Sequence, residues 1–228
     1  MVAVIGDIHG CFFTLEALVK KIRARYPDID IYSVGDLVDR GKNSFEVVRY
    51  LMENGIKFTP GNHDFMFYAY IREPGSVFAR AWVYNGNEAT LRSYLEHFES
   101  VIKHIEFIKA QPLYFNLEDC FISHAGVSES YRKVLPKNLR ENLGDLDKLI
   151  YSESESETGV LWTREKLLNL GKIQVVGHTK QESVRYDTRS NALYIDTGAC
   201  MGNKLSAVVL HHSEVIETIE EPTHFTDI

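Results

Sequence analysis

Three short apolar runs, each ending in a glycine turn that carries Asp, Asn or His, constrain this chain more than any other feature. Val2-Ala3-Val4-Ile5 leads into Gly6-Asp7-Ile8-His9-Gly10, and Ile29-Asp30-Ile31-Tyr32-Ser33-Val34 into Gly35-Asp36-Leu37-Val38-Asp39-Arg40-Gly41. Ile56-Lys57-Phe58-Thr59 precedes Gly61-Asn62-His63-Asp64 in the same way. The β-branched and aromatic residues suit buried strands, and glycine lets the chain turn sharply at their ends. Between the runs, Phe12, Leu15, Leu18, Val19 and Ile22 recur at helical spacing up to Pro27. A second helical run starts at Ser44, a suitable N-cap, and passes through Phe45, Val48 and Leu51 to Asn54-Gly55. Strand, helix, strand alternation favours parallel pairing through right-handed crossovers. Three such strands side by side bring Asp7, His9, Asp36, Asn62 and His63 to one crevice at their carboxyl ends, where open α/β sheets bind ligands.

Two later segments repeat the pattern. Cys120-Phe121-Ile122-Ser123 runs into His124-Ala125-Gly126, and Ile173-Gln174-Val175-Val176 into Gly177-His178-Thr179. Carboxylate, imidazole and amide groups in one cleft suit a divalent transition metal such as Mn, Fe or Zn. Asp7, His9, Asp36, Asn62, His124 and His178 are too many ligands for one open catalytic ion, and they suit two ions sharing a bridging carboxylate. Asp36, on the second of the three early strands, is the natural bridge.

The segment 65–110 is rich in aromatics and reads as several helices packed on the sheet, with a wall of the substrate groove as the other reading. Ser152-Glu153-Ser154-Glu155-Ser156-Glu157 reads as a solvated, mobile loop. From Ser183 the pattern is all-β, with turns at Ser190-Asn191 and His212-Ser213 separating consecutive hairpins. Two mixed sheets, face to face with helices outside each, are therefore expected. The net charge of −7 argues against sequence-independent nucleic-acid binding, which needs clustered Lys and Arg. The three cysteines, Cys11, Cys120 and Cys200, give no disulfide framework and suit a reducing compartment. No run approaches the ~20 apolar residues of a membrane span, so a cytoplasmic protein without a membrane partner is expected. His97, His104, His211, His212 and His224 lie outside the motifs and read as ordinary structural histidines.

The ordered series GDIHG, GDLVDRG, GNHD, HAG and GHT, from Gly6 to about Leu210, resembles the phosphoprotein phosphatase branch of the calcineurin-like metallophosphoesterases. The compact length is similar to that of the bacterial and bacteriophage lambda-type serine/threonine protein phosphatases. The resemblance implies an α/β fold, a four-layer α/β/β/α sandwich of two mixed β-sheets, forming one metallophosphoesterase domain over 1–228. It implies that Asp7 and His9 hold the first metal, that Asp36 bridges, and that Asn62, His124 and His178 hold the second, with Mn2+ favoured over Fe or Zn. His63 matches the family's general acid and Asp39 the residue that orients it, while Arg40 matches a phosphate-binding arginine. Leu161-Trp162-Thr163-Arg164 resembles the segment supplying a second one, Arg164. Trp82 to Gly86 also resembles those enzymes, without chemistry to assign to it.

The activity so implied is metal-dependent hydrolysis of phosphomonoesters, on a phosphorylated protein or a small phosphoester. Asp64, where most eukaryotic members carry Glu, keeps open the alternative of a diadenosine tetraphosphate or other dinucleoside polyphosphate hydrolase, or of a phosphodiesterase on the same dinuclear centre. Asp39 argues against that alternative, since those hydrolases usually carry Ala there. Ala125 and Asn87 replace glycines of the family pattern and remove no ligand. A reading from another class is an inactive metal-binding scaffold that docks a phosphoprotein. Binding alone needs no general acid, so the joint presence of Asp39, His63 and Arg40 argues against it.

Overall fold

The computed structural model describes residues 1–135 and 145–228. These form ten strands: β1 (Val2–Ile5), β2 (Asp30–Ser33), β3 (Lys57–Phe58), β4 (Tyr114–Asn116), β5 (Phe121–Ser123), β6 (Gln174–Val176), β7 (Arg185–Asp187), β8 (Ala192–Tyr194), β9 (Lys204–His211) and β10 (Glu214–Pro222). One sheet has the order β10-β9-β1-β2-β3 and the other β4-β5-β6-β8-β7. The pairs β1-β2, β2-β3, β5-β6 and β6-β8 are parallel and the remaining pairs antiparallel, so both sheets are mixed as expected.

Alternation along each strand divides the core. Val2 and Val4 of β1 meet Ile122, Val175 and Leu193 of the second sheet between the layers. Ala3 and Ile5 face the opposite way, onto α1 (Phe12–Arg25) and α2 (Ser44–Asn54). Both faces are thus covered, which is why these strands read as continuous apolar runs. Each fully buried Val, Leu or Ile contributes about 1.5–3 kcal/mol. The segment 65–110 falls mainly into α3 (Asn62–Arg72), α4 (Val77–Trp82), α5 (Asn87–Ser93) and α6 (Val101–Lys109). Phe67, Trp82, Tyr94, Ile105 and Ile108 join the core beneath the first sheet. On the outer side of the second sheet, Leu146 and Ile150 of α7 (Asp145–Ser152) pack with Phe121, Val160 and Leu168.

One local expectation is corrected, and the structure adds several details. Ser44 is the first residue of α2 and not its cap: Asn43 holds the cap position, and Ser44 Oγ accepts from the Asp39 amide at 3.2 Å. Ser152 ends α7 and residues 153–157 form hydrogen-bonded turns, with Ser154 Oγ and Ser156 Oγ donating to the carbonyls of Tyr151 and Glu153. The two C-terminal hairpins belong to different sheets, β7-β8 to the second and β9-β10 to the first. At the start of α1, where Cys11 supplies no side-chain cap, the buried Asp227 carboxylate accepts from the amides of Phe13 at 3.1 Å and Thr14 at 2.9 Å. Among the described residues no helix is long and apolar enough to cross a membrane.

Candidate active site

The carboxyl ends of β1, β2, β3, β5 and β6 converge on one cluster. The backbone of its loops is unusual. His9, Asp36, Asp39, Arg40 and His178 all have φ between 45° and 74°. Non-glycine residues rarely adopt this left-handed region, and such strain persists only where the surroundings over-determine it, commonly at functional sites. The amides of Ile8 and His9 donate to the Asp36 carbonyl at 3.1 and 2.7 Å, and Gly177 N donates to the His124 carbonyl at 2.8 Å, so the motif loops bind one another directly.

Three imidazoles are aimed by their outer nitrogens. His9 Nδ1 donates to the Val38 carbonyl at 2.9 Å, His124 Nδ1 to that of Val34 at 2.8 Å, and His178 Nε2 to that of Trp162 at 3.1 Å. Each neutral ring then turns a bare nitrogen inward, the arrangement usual for metal-ligating histidines. His124 Nε2 lies 3.2 Å from His178 Nδ1 and 3.0 Å from Asn62 Oδ1, and Asn62 Oδ1 is 2.9 Å from His178 Nδ1. Three lone pairs therefore face each other with no hydrogen between them, an arrangement that a cation relieves. Two further groups, His9 with Asp36 and His63, and Asp7 with Asp36 and His124, have ligand atoms within 4.8 Å of one another. Asp36 belongs to both.

The electrostatics agree with that donor set. Burial, only partly offset by Asp36, pulls His9 down to about 3, and burial with the neighbouring His124 does the same to His178. Burial raises Asp7 well above the usual carboxylate range, with Asp196 and Asp36 adding repulsion. Burial would also raise Asp36, yet the surrounding imidazoles, His124 foremost, hold it well below that range. Neutral imidazoles and crowded acids, all buried, are a fit for divalent ions of the Mn, Fe and Zn type.

His63 behaves differently. Burial opposes its protonation, but Asp36 and Asp39 outweigh burial and raise its pKa. Its Nδ1 donates to Asp39 Oδ2 at 2.6 Å. Arg40 stands between this pair and the ligands, its guanidinium donating to His9 Nε2 at 2.7 Å, with Nη2 3.0 Å from His63 Nε2. Nine of the ten residues singled out in the sequence thus meet in one place. Arg164 stands at the rim, exposed, its Nη1 donating to the His178 carbonyl at 3.3 Å.

The roles of several neighbours escaped the sequence reading. Asp196, raised by burial and then by Asp36, follows β8 and precedes Thr197-Gly198. That is the same strand-and-turn pattern, and it could have been noticed. Asp64 accepts from Leu37 N at 2.8 Å and Gly61 N at 2.9 Å, tying the second motif loop to the third. Trp82 and Thr90 both donate to Asp39.

The chain is similar to known proteins. Residues 1–212 match the family described as calcineurin-like phosphoesterase. The serine/threonine-protein phosphatase 1 of Salmonella typhimurium is 32% identical over 89% of this chain and 88% of its own length. The asymmetrical bis(5'-nucleosyl)-tetraphosphatase PrpE of Bacillus cereus is 29% identical over 96% of this chain and 93% of its own. The crystal structure of a cold-active protein-tyrosine phosphatase of a psychrophilic Shewanella superimposes with a TM-score of 0.62 at 18% identity, covering 98% of this chain and 80% of that one. At that identity the likeness concerns the fold.

Proposed function

The chain belongs to the calcineurin-like phosphoesterase family, and on that footing we propose that it hydrolyses phosphomonoesters of hydroxyl side chains in proteins. Two divalent ions, manganese foremost, would be held by Asp7, His9, Asp36, Asn62, His124 and His178. When bound they lower the pKa of a water and neutralise phosphoryl oxygens. Arg40 and Arg164 bind the equatorial phosphoryl oxygens through charge-assisted hydrogen bonds. His63, as imidazolium, gives its Nε2 proton to the departing alkoxide while its Nδ1 proton stays on Asp39. The three free cysteines support the cytoplasmic setting included in this reading.

The buried Asp39–His63 pair, 2.6 Å apart, carries the preference for monoesters of alcohols. A serine or threonine alkoxide is a poor leaving group and needs a proton as it leaves. A nucleotide leaving through a phosphate oxygen is far less basic and gains little from a general acid. A second reading, hydrolysis of dinucleoside polyphosphates on the same centre, is favoured by the likeness to the Bacillus cereus tetraphosphatase. Side-by-side assays with manganese distinguish the two. Phosphoserine and phosphothreonine peptides are expected to show the higher kcat/KM. A reversed order by tenfold, about 1.4 kcal/mol of transition-state discrimination, would assign the chain to the dinucleotide hydrolases.

A further inference from the structure

The segment from Trp82 to Thr90 carries a glycine and two polar side chains without an obvious task, and all three converge on the loop that bears Asp39 and Arg40. Trp82 Nε1 donates to Asp39 Oδ2 at 2.8 Å, on the same oxygen that His63 engages. Thr90 Oγ1 donates to Asp39 Oδ1 at 2.7 Å and accepts from the Asp39 amide at 2.8 Å. With the Thr90 proton committed to Asp39, Ser44 Oγ, 3.1 Å away, donates to Thr90 in turn. The Arg40 amide donates to the Gly86 carbonyl at 3.2 Å.

Asp39 and Arg40 are consecutive non-glycine residues at φ 74° and 71°. That conformation costs about 1–2 kcal/mol per residue and must be held from outside. The holding groups are rigid. Trp82 is fully buried, its ring stacked on Phe67 at 5.3 Å and tilted against Tyr70 at 4.8 Å. Phe67 and Tyr70 lie on α3, the helix whose second residue is His63. One indole therefore fixes the Asp39 carboxylate relative to the helix that presents its histidine partner. Thr90 sets the rotation of that carboxylate by engaging the other oxygen and the amide of the same residue.

We propose that Trp82 and Thr90 are positioning residues for proton donation to the leaving group, acting through Asp39 and His63. The proposal rests on the general-acid reading of His63 given above. Both side chains act on Asp39, and neither is among the phosphate-binding residues assigned above. Without either donor the Asp39 carboxylate can rotate away from His63, and the loss falls on substrates whose leaving oxygen needs the proton.

The test compares a phosphoserine peptide with p-nitrophenyl phosphate, whose phenolate departs unaided, in manganese-loaded wild-type enzyme and in Trp82→Phe, Thr90→Val, Thr90→Ser and His63→Asn variants. Trp82→Phe and Thr90→Val are each expected to lower kcat on the peptide about tenfold or more, with KM little changed and turnover of p-nitrophenyl phosphate within about threefold of wild type. Thr90→Ser, which keeps the hydroxyl, should restore peptide turnover. Thr90→Val conserves volume, so it remains informative if Trp82→Phe does not fold. Equal losses on both substrates, or a Thr90→Ser variant as impaired as Thr90→Val, would overturn the positioning role. If those losses are equal while His63→Asn still shows the leaving-group bias, the positioning proposal fails alone. If His63→Asn shows no bias, the general-acid reading fails and the proposal falls with it.

Discussion

Replacing Gly61 with alanine probes how closely the motif loops are packed around Asp36. Gly61 has φ −92° and ψ 179°, an extended geometry open to any residue, so the substitution carries no torsional penalty. An added Cβ would stand 2.1 Å from Asp36 Oδ1, 2.5 Å from Asp36 N and 2.7 Å from Asp36 Cγ. All three lie well inside van der Waals contact, and a backbone nitrogen cannot swing aside as a side-chain tip can. The loop after β2 and the loop opening α3 must part by about an ångström. That movement stretches the bond from His63 N to Asp36 Oδ1, now 3.0 Å, and the two bonds by which Asp64 joins the loops. A displacement of this size costs on the order of 10²-fold in rate at a reacting centre. Because Asp36 is shared by the His9-Asp36-His63 and Asp7-Asp36-His124 groups, the damage reaches both. We expect kcat/KM on p-nitrophenyl phosphate at saturating manganese to fall by about two to three orders of magnitude, roughly 3–4 kcal/mol. Overpacking should cost a further ~1–3 kcal/mol of stability and lower Tm by roughly 2–12 °C. Gly75→Ala is the control, since its Cβ meets nothing within 4 Å and both quantities should hold. A Gly61→Ala enzyme with at least a tenth of wild-type activity and a full metal complement would refute this account of how Asp36 is placed.

Exhaustive chelation should abolish turnover and lower Tm, with both restored by readdition of manganese, because buried Asp7, Asp36 and Asp196 repel one another without cations. Metal analysis of the reconstituted protein should approach about two ions per chain, and full activity with one would reject the bridging role of Asp36. His104, buried and accepting from the Tyr94 hydroxyl at 2.8 Å, supplies a pH dependence remote from the cluster of candidate metal ligands. Burial, with Lys103 and Arg49 adding repulsion, lowers it from 6.5 to about 4. The unfolded chain therefore binds a proton that the folded chain refuses between those values, and stability is lost as pH falls from 6.5 towards 4, by at most about 3 kcal/mol. Urea denaturation of chelated protein should show this slope, and His104→Gln should flatten it. An unchanged slope in the variant would assign the acid sensitivity to other groups.

The residue order by itself determined the strand ends and what they carry. An apolar run ending in glycine and a ligand-type side chain acts over six or seven residues, and strand geometry leaves such a side chain only one end of the sheet to occupy. That is why Asp7, His9, Asp36, Asn62, His63, His124 and His178 could be named together, and why the helices after the first two motifs followed from apolar spacing. What the tertiary structure decided are matters of long-range approach. Gly61 looks like a turn residue, whereas it is small because the Asp36 carboxylate lies against it. Ser44 has the composition of a cap and instead faces the Asp39 amide. The cap of α1 comes from Asp227, more than two hundred residues away. Trp82 and Thr90 reach Asp39 only after α4 and α5 fold back over the second motif. Local periodicity and turn chemistry are set by neighbours in the chain and can be read there. Hydrogen bonds and close approaches between distant segments form only when the layers close, and no pattern along the chain encodes which partner burial will supply.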